Sequence, residues 1–257
     1  MITFSTCWYS FKNKFNPAQY EVWMDNMLSN VRNYNLVIYS DESSCSFILK
    51  YLTNPRIKLI LKPHTDFFGY KHKDFWIENH KQNHLLNTRI DWEVNLLWCE
   101  KVHFVHETQT CKYFDTPLYG WCDIGYFRNK VENWPSIPKL NHLSNKIHYA
   151  CVNNDANYIN SLSLIITHKN TWGLPSQPIP PDQVSIAGGF FIGHKDKIKW
   201  WADTFYSKLQ LYVDHNYLVK DDQMIVIDCI LTELDHFTLH KENNNNDNWF
   251  MFQRLLS

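Results

Sequence analysis

Residues 118–128, LYGWCDIGYFR, give the clearest indication of how this chain folds. An apolar run ends at one carboxylate, Asp123, which is followed by Gly125 and then by the basic residue Arg128. Open α/β sheets place a ligand-contacting acid in this way, because a buried strand ends at an Asp and the chain then turns. Such an Asp also commonly caps the next turn without any ligand. The stretch alone leaves both interpretations open.

The chain before this stretch alternates between strand and helix patterns. Short β-prone runs occupy residues 2–7, 36–39 and 57–61. Asn16 and Pro17 form a typical helix start, and apolar side chains then recur at helical spacing. Residues 43–52 predict a second helix. This β-α-β-α-β order predicts a parallel sheet with right-handed crossovers, in which Asp41 ends the second strand at the ligand-binding edge.

Further helices and strands are predicted around and after the central stretch. The helices are at residues 66–87, 90–105, 196–213 and 224–234, and the strands at residues 146–152, 162–167 and 237–239. Lys101 lies on the second of these helices. Four prolines within residues 172–181 exclude regular structure there and predict a long loop.

Two later segments carry candidate binding and catalytic residues. Residues 184–193, VSIAGGFFIG, place Gly188 and Gly189 directly before a β-prone run. Paired glycines allow a backbone to approach a ligand closely, although a bulged strand is the alternative. Asp221 and Asp222 precede an apolar helix, whose dipole stabilises acids at its start. The same pair offers a general base or a group that binds a sugar hydroxyl.

Composition limits the functional classes. The chain has 257 residues, of which 16% are aromatic, and a net charge of −1. This charge gives no reason to expect a nucleic acid or an anionic membrane as partner. Seven scattered cysteines without a C-x-x-C pair favour reduced thiols and a cytoplasmic location, although six could pair in a secreted protein. We expect neither a signal peptide nor a transmembrane segment.

Taken in order, four segments resemble the HtrL/YibB-like family, which is placed among nucleotide-sugar glycosyltransferases of the GT-A type. They are the first strand with its Tyr- and Trp-rich helix, LVIYSD at 36–41, LLWCEKVHFV at 96–105 with GWCDIGYFR at 120–128, and IAGGFFIG at 186–193 with DDQ at 221–223. The resemblance implies an α/β fold, a single Rossmann-like GT-A domain with a mostly parallel central sheet flanked by helices. We expect this nucleotide-sugar-binding and catalytic domain to span residues 1–240, with a polar and aromatic tail, residues 241–257, packed on it.

The resemblance also implies an activity. It is the transfer of a hexose or pentose from a nucleotide diphosphate sugar, with UDP-sugars as the first choice, to a hydroxyl group of a glycan or glycoconjugate. In GT-A enzymes an Asp-x-Asp motif holds a divalent metal, Mn²⁺ or Mg²⁺, against the diphosphate. The matching residues here are Asp123-Ile124-Gly125, so the second acid is missing. Asp123 would then need a distant partner ligand such as His240 or His236, or the metal is weakly held, or none is needed.

The candidate roles follow from this expected activity. Asp222 is the expected base in an inverting reaction, with Asp221 second, and a retaining reaction stays open. The donor-binding candidates are Thr6, Asp41, Lys101, Asp123, Arg128, Gly188 and Gly189. Lys101 and Arg128 would offset the charge of the leaving nucleoside diphosphate. The surplus of aromatic residues suits sugar rings, whose C–H faces stack on Trp and Tyr.

Two other functions are compatible with parts of the sequence. A non-catalytic nucleotide-sugar or glycan-binding protein of the same fold is favoured by the missing second acid. A metal-dependent hydrolase would use histidines, of which His80 and His84 have helical spacing. No third ligand lies near that pair in sequence, so packing roles are favoured over metal binding.

Overall fold

A seven-stranded sheet forms the centre of the molecule, in a computed structural model that describes residues 1–243 and 246–257. Its strands are, in chain order, β1 (Ile2–Trp8), β2 (Asn35–Ser40), β3 (Ile57–Leu61), β4 (Leu118–Cys122), β5 (Ile147–Ala150), β6 (Phe190–His194) and β7 (Phe237–His240). They lie in the order β3-β2-β1-β4-β6-β5-β7. β6 is antiparallel to both of its neighbours, whereas the remaining pairs in the described part run parallel. The predicted α/β fold with a mostly parallel sheet is confirmed.

Helices flank this sheet. They are α1 (Pro17–Leu28), α2 (Lys73–Gln82), α3 (Trp92–Thr110), α4 (Ile137–Asn141), α5 (Ala156–Thr167), α6 (Lys195–Asp214), α7 (Asp222–Thr232) and α8 (Met251–Leu255). α1 begins as predicted, since the Asn16 side chain accepts a hydrogen bond from the Gln19 N–H at 2.9 Å. Pro17 occupies the first turn, where its missing N–H is not needed.

The strands divide their side chains between two apolar layers. On β4, Tyr119 and Trp121 point into the layer formed with α3, α6 and α7, whereas Leu118 and Cys122 point into the layer formed with α1 and α8. β2 and β4 are buried at every position. This is the pattern of parallel strands that are covered on both faces. The C-terminal ends of the central strands are therefore held between two sets of helices.

Residues 162–167 were predicted as a strand, and this prediction is wrong because they belong to helix α5. The buried residues of this helix, Ile159, Leu162 and Ile166, are three and four positions apart, and Asp155 caps its first turn. The β-branched residues near the end of the helix favour a strand locally. The spacing of the buried residues and the cap outweigh that preference.

Residues 43–52 form two short 3₁₀ helices, Cys45–Phe47 and Leu49–Tyr51, instead of the predicted regular helix. The Asp41 carboxylate accepts a hydrogen bond from the Ser43 hydroxyl at 2.7 Å and from the Ser44 N–H at 2.8 Å. Such side-chain contacts offer the backbone an alternative to helical hydrogen bonds, which explains the irregular start.

The C-terminal residues pack on the α1 side of the sheet. Phe252 stacks on Phe190 with ring centroids 4.7 Å apart, and the Phe252 carbonyl accepts a hydrogen bond from Trp134 Nε1 at 3.2 Å. Asn244 and Asn245, which fall within the predicted tail, lie outside the described residues. The chain following them brings further aromatic residues to the C-terminal edge of the sheet.

Gly120 allows β4 and β6 to approach each other closely. A Cβ at this position would lie 2.2 Å from the Phe191 carbonyl oxygen, whereas a Cβ at Gly193 would meet only the side-chain ends of Ile147 and Ile198. We expect Gly120→Ala to lower the free energy of unfolding by about 3 kcal/mol, and Gly193→Ala to lower it by clearly less. Urea unfolding followed by circular dichroism measures both changes. Equal losses would contradict the role of Gly120.

Candidate functional site

A cavity of about 420 Å³ opens at the C-terminal ends of β1 and β4, beside the turn that leads into β6. Small-molecule sites usually have volumes of about 300–1,000 Å³, so this cavity is large enough for one. Nine aromatic side chains of the described residues line it. Its charged lining residues are Lys14, Lys101, Arg128, Asp123, Asp221 and Asp222.

Lys101 of helix α3 lies between two carboxylates of this cavity. Its Nζ donates a hydrogen bond to the Gly188 carbonyl at 2.9 Å, and it lies 3.3 Å from Asp123 Oδ1 and 3.2 Å from Asp222 Oδ2. Burial lowers the pKa of the amine, but the two carboxylates outweigh burial and hold its pKa above the ordinary value. Lys101 is therefore charged, and it joins three segments that are distant in sequence.

Asp222 forms the first residue of helix α7 and is buried. Burial raises the pKa of this carboxyl group to about 7, since burial and the negative charges of Asp221 and Asp123 together exceed the attraction of Lys101. A carboxyl group that titrates near neutral pH is well suited to accept a proton from a reacting hydroxyl group.

Asp123 follows β4 directly, as predicted. Its Oδ1 accepts a hydrogen bond from Trp121 Nε1 at 2.5 Å, and its N–H donates to the Gly189 carbonyl at 2.9 Å. A Cβ on Gly189 would lie 3.0 Å from Asp123 Oδ2, and one on Gly188 would lie 3.2 Å from each carboxylate oxygen of Asp222. The glycine pair is thus a point of close approach for two carboxylates and for the Gln223 side chain, whose Cγ would lie 2.8 Å from a Cβ at Gly188.

Asp221 lies beside Asp222 but has a different partner. Its Oδ2 lies 3.0 Å from Lys220 Nζ, and its Oδ1 is buried without a hydrogen-bond partner in the described structure. Because a buried acceptor without a donor is unfavourable, this oxygen is available to a hydroxyl group of a ligand.

Two cations of the cavity lie over aromatic rings and have no acid within 4.0 Å among the described residues. The guanidinium carbon of Arg128 is 3.2 Å from the ring centroid of Trp23, and its Nη1 is buried without a hydrogen-bond partner. Lys14 Nζ is 4.6 Å from the ring centroid of Trp98. Burial lowers the pKa of both cations, which indicates that an anion in the cavity would stabilise them.

The donor-binding candidates Thr6 and Asp41 and the metal candidates His240 and His236 do not line the cavity. Thr6 is fully buried within β1, and Asp41 shapes the turn after β2. His240 faces His148, with Nε2 and Nδ1 of the two rings 2.9 Å apart. Side chains alternate between the faces of a sheet, so a position in or just after a strand does not by itself bring a side chain to the ligand edge.

The carboxylates of the cavity do not fit a divalent metal site. Asp123 follows β4 and His240 ends β7, and these strands are three strand spacings apart, about 14 Å, so the two residues are too distant to share an ion. In residues 1–243 and 246–257, no group of three or more His, Cys, Asp or Glu side chains is placed to hold a metal. The ammonium group of Lys101 lies between Asp123 and Asp222, where it would repel a second cation.

Sequence reasoning missed several residues that line the cavity, among them Lys14, Tyr20 and Trp98. Lys14 follows β1 at the predicted ligand edge, so a basic residue in that loop was an available indication. The aromatic residues had no comparable indication, because helical spacing assigns a Trp or Tyr equally well to the apolar core.

The fold is shared with a solved glycosyltransferase. The crystal structure of the apo form of mouse xyloside xylosyltransferase 1 matches with a TM-score of 0.50 and 12% sequence identity, covering 94% of this chain and 86% of the chain in that structure. The class is therefore an α/β protein with a glycosyltransferase-like fold. A sequence model of the HtrL/YibB family, described as "Bacterial protein of unknown function", matches residues 69–257. The chain belongs to this family, as its sequence motifs suggested.

No curated protein matches the chain. No helix in the described part of the chain is long and apolar enough to cross a membrane.

Lys101 should be essential for stability because its partner Asp222 is as buried as Lys101 itself, with both side chains 8% exposed. We expect Lys101→Met to lower the free energy of unfolding by about 3–5 kcal/mol, since it leaves a buried carboxylate uncompensated. Adding Asp222→Asn to that variant should restore part of the loss. Urea unfolding at pH 8 measures the three proteins.

The matched control for this test is the exposed ion pair of Lys199 and Asp203, with side chains 71% and 60% exposed. Lys199→Met should leave stability nearly unchanged, because solvent screens such a pair. Equal effects of the two lysine substitutions would contradict the importance assigned to the buried pair.

Proposed function

We propose that the protein is a GT-A type glycosyltransferase that moves a sugar from a nucleotide diphosphate sugar, with UDP-sugars as the first choice, to a hydroxyl group of a glycan or glycoconjugate. The observation that carries the proposal is the buried carboxyl group of Asp222, which faces a cavity lined also by Lys14 and Arg128, two cations that form no ion pair with the described acids. The carboxylate of Asp222 can accept a proton, and the two cations can bind an anionic leaving group.

The fold supports the same reaction class. The mouse protein of similar fold is, by its name, a xylosyltransferase, and its similarity extends over most of both chains. In open α/β sheets ligands bind at the carboxyl ends of the strands, and the cavity lies at that edge. Its aromatic walls offer ring faces for a nucleobase and for the C–H faces of sugars.

The proposed chemistry assigns each charged group one task. The acceptor hydroxyl gives its proton to Asp222 as its oxygen forms a bond to the anomeric carbon of the donor. The bond from that carbon to the diphosphate breaks, and the nucleoside diphosphate leaves with the electron pair. Negative charge that develops on the leaving group is stabilised by fixed cations of the cavity. Asp221, through its free oxygen, would orient a sugar hydroxyl.

Binding of a nucleoside diphosphate is the first prediction of this proposal. We expect UDP or GDP, at about 100 times its dissociation constant, to raise the melting temperature by several degrees, because a ligand that binds only the folded state stabilises it by about 2.7 kcal/mol. Uridine and guanosine, which lack the diphosphate, should have much smaller effects. Absence of stabilisation by both diphosphates would contradict the proposed function.

A turnover assay separates the enzyme from a binding protein of the same fold. Purified protein is incubated with a panel of UDP- and GDP-sugars, and release of the nucleoside diphosphate is followed with and without glycan acceptors. Release is expected for at least one donor. Binding without any release would favour the non-catalytic alternative, which the glycine at position 125 already suggests.

The pH dependence of this turnover should report Asp222. Its carboxyl group is protonated below its pKa of about 7 and then cannot accept a proton, so kcat should fall about tenfold per pH unit below that value. Asp222→Asn should lower kcat by about 10²–10⁴-fold. Steady-state rates between pH 5.5 and 9 measure both effects.

Glu100 provides the control, because burial also raises the pKa of this carboxyl group to about 7 although it does not line the cavity. Its carboxylate accepts hydrogen bonds from the backbone of Phe68 and Gly69. Glu100→Gln should keep the acidic limb of the profile. Asp222 would be ruled out as the base if kcat of Glu100→Gln no longer fell at acidic pH, or if Asp222→Asn kept full turnover.

A further inference from the structure

Lys101 has no hydrogen-bond donor left for a ligand. An ammonium group carries three donors, and the three acceptors around Nζ are the Gly188 carbonyl and the carboxylates of Asp123 and Asp222. The Lys101 side chain is also only 8% exposed. Lys101 therefore neutralises and positions the two acids, and it does not reach out to bind a phosphate group.

Gly125 lies in the cavity wall two residues after Asp123, with aromatic rings packed where its side chain would be. A Cβ at this position would lie 3.1 Å from Trp23 and 3.4 Å from Tyr20. The same Trp23 ring supports the guanidinium group of Arg128. The space in which a second acid would stand thus belongs to an aromatic platform that carries a cation.

Both uncommitted cations line the same cavity. The ring centroid of Phe15, the residue after Lys14, lies 5.2 Å from the Arg128 guanidinium carbon. Lys14 lines the cavity from the loop between β1 and α1, and Arg128 lines it from the turn after β4. A guanidinium fork and an ammonium point charge are complementary to a diphosphate, since the fork can bind two oxygens and the ammonium can bind a third.

We propose that the site binds its nucleoside diphosphate without a divalent metal, with Lys101 as a built-in cation between Asp123 and Asp222 and with Arg128 and Lys14 as the groups that bind the diphosphate. This inference rests on the proposed function. The positive charge that a metal would bring comes from three side chains. Lys101 neutralises the acids Asp123 and Asp222, whereas Arg128 and Lys14 bind the ligand. This division of charge explains why Arg128 and Lys14 lie on aromatic rings and have no acid of the described residues within 4.0 Å.

Calorimetric titration with UDP and GDP tests the inference. Each titration is made once in about 5 mM EDTA, which removes free divalent metal, and once in about 5 mM MnCl₂, which would fill a weak metal site. We expect the dissociation constant to differ by less than about threefold between the two conditions. Arg128→Gln should weaken binding in EDTA by about tenfold or more, and Lys14→Gln by about threefold to tenfold, because each removes a charge-assisted contact. Arg32→Gln and Lys139→Gln, which remove the same charges at exposed positions outside the cavity, should leave binding unchanged.

Each outcome decides between the two proposals. Binding only in MnCl₂ would overturn the metal-independent site and leave the proposed function intact. Binding in EDTA that Arg128→Gln and Lys14→Gln do not weaken would overturn the assignment of these cations. If neither nucleotide binds in either buffer, the proposed function is overturned, and so is the metal-independent site that rests on it. Circular dichroism of each variant at the titration temperature confirms that a loss of affinity does not reflect unfolding.

Discussion

The ion pair of Lys101 and Asp222 is the interaction on which the rest of the site depends. Both side chains are almost completely buried, so either charge alone would be strongly unfavourable there. The pair joins the middle of helix α3 to the start of α7, and the hydrogen bond from Lys101 to Gly188 adds the turn before β6. One ammonium group thus holds three distant segments, together with Asp123 at the end of β4, at a single edge of the sheet.

Lys101 reaches this position because polar contacts fix helix α3 on the sheet. Thr108, two helical turns after Lys101 and on the same face, shares hydrogen bonds with the Ser5 hydroxyl at 2.8 Å and the Tyr39 hydroxyl at 2.9 Å. All three side chains are buried. A buried hydroxyl group without a partner is unfavourable. The network therefore favours one rotation of helix α3 about its axis and one position of the helix along that axis. The position of the ammonium group follows from that choice.

Local sequence patterns predicted the parts of this structure that depend on neighbouring residues. The first β-α-β unit with its Asn16 cap and the acid after β4 are examples, since periodicity and capping act over a few residues. The ion pair of Lys101 and Asp222 was not predictable in the same way, because its partners lie on different elements and neither neighbourhood encodes the other. His240 shows the converse problem, since a residue of suitable chemistry at a strand end faces His148 and not the cavity.

The three carboxylates of the cavity are compensated in different ways. Asp221 has its own lysine, Lys220, and Asp123 receives a hydrogen bond from Trp121 and is partly exposed. Asp222 shares Lys101 with Asp123, and it is buried beside two other acids. Its compensation is therefore incomplete, and the pKa of this carboxyl group rises to about 7. A divalent ion in place of Lys101 would stabilise the ionised form more strongly and lower that pKa. The single positive charge thus leaves Asp222 basic enough to take a proton near neutral pH.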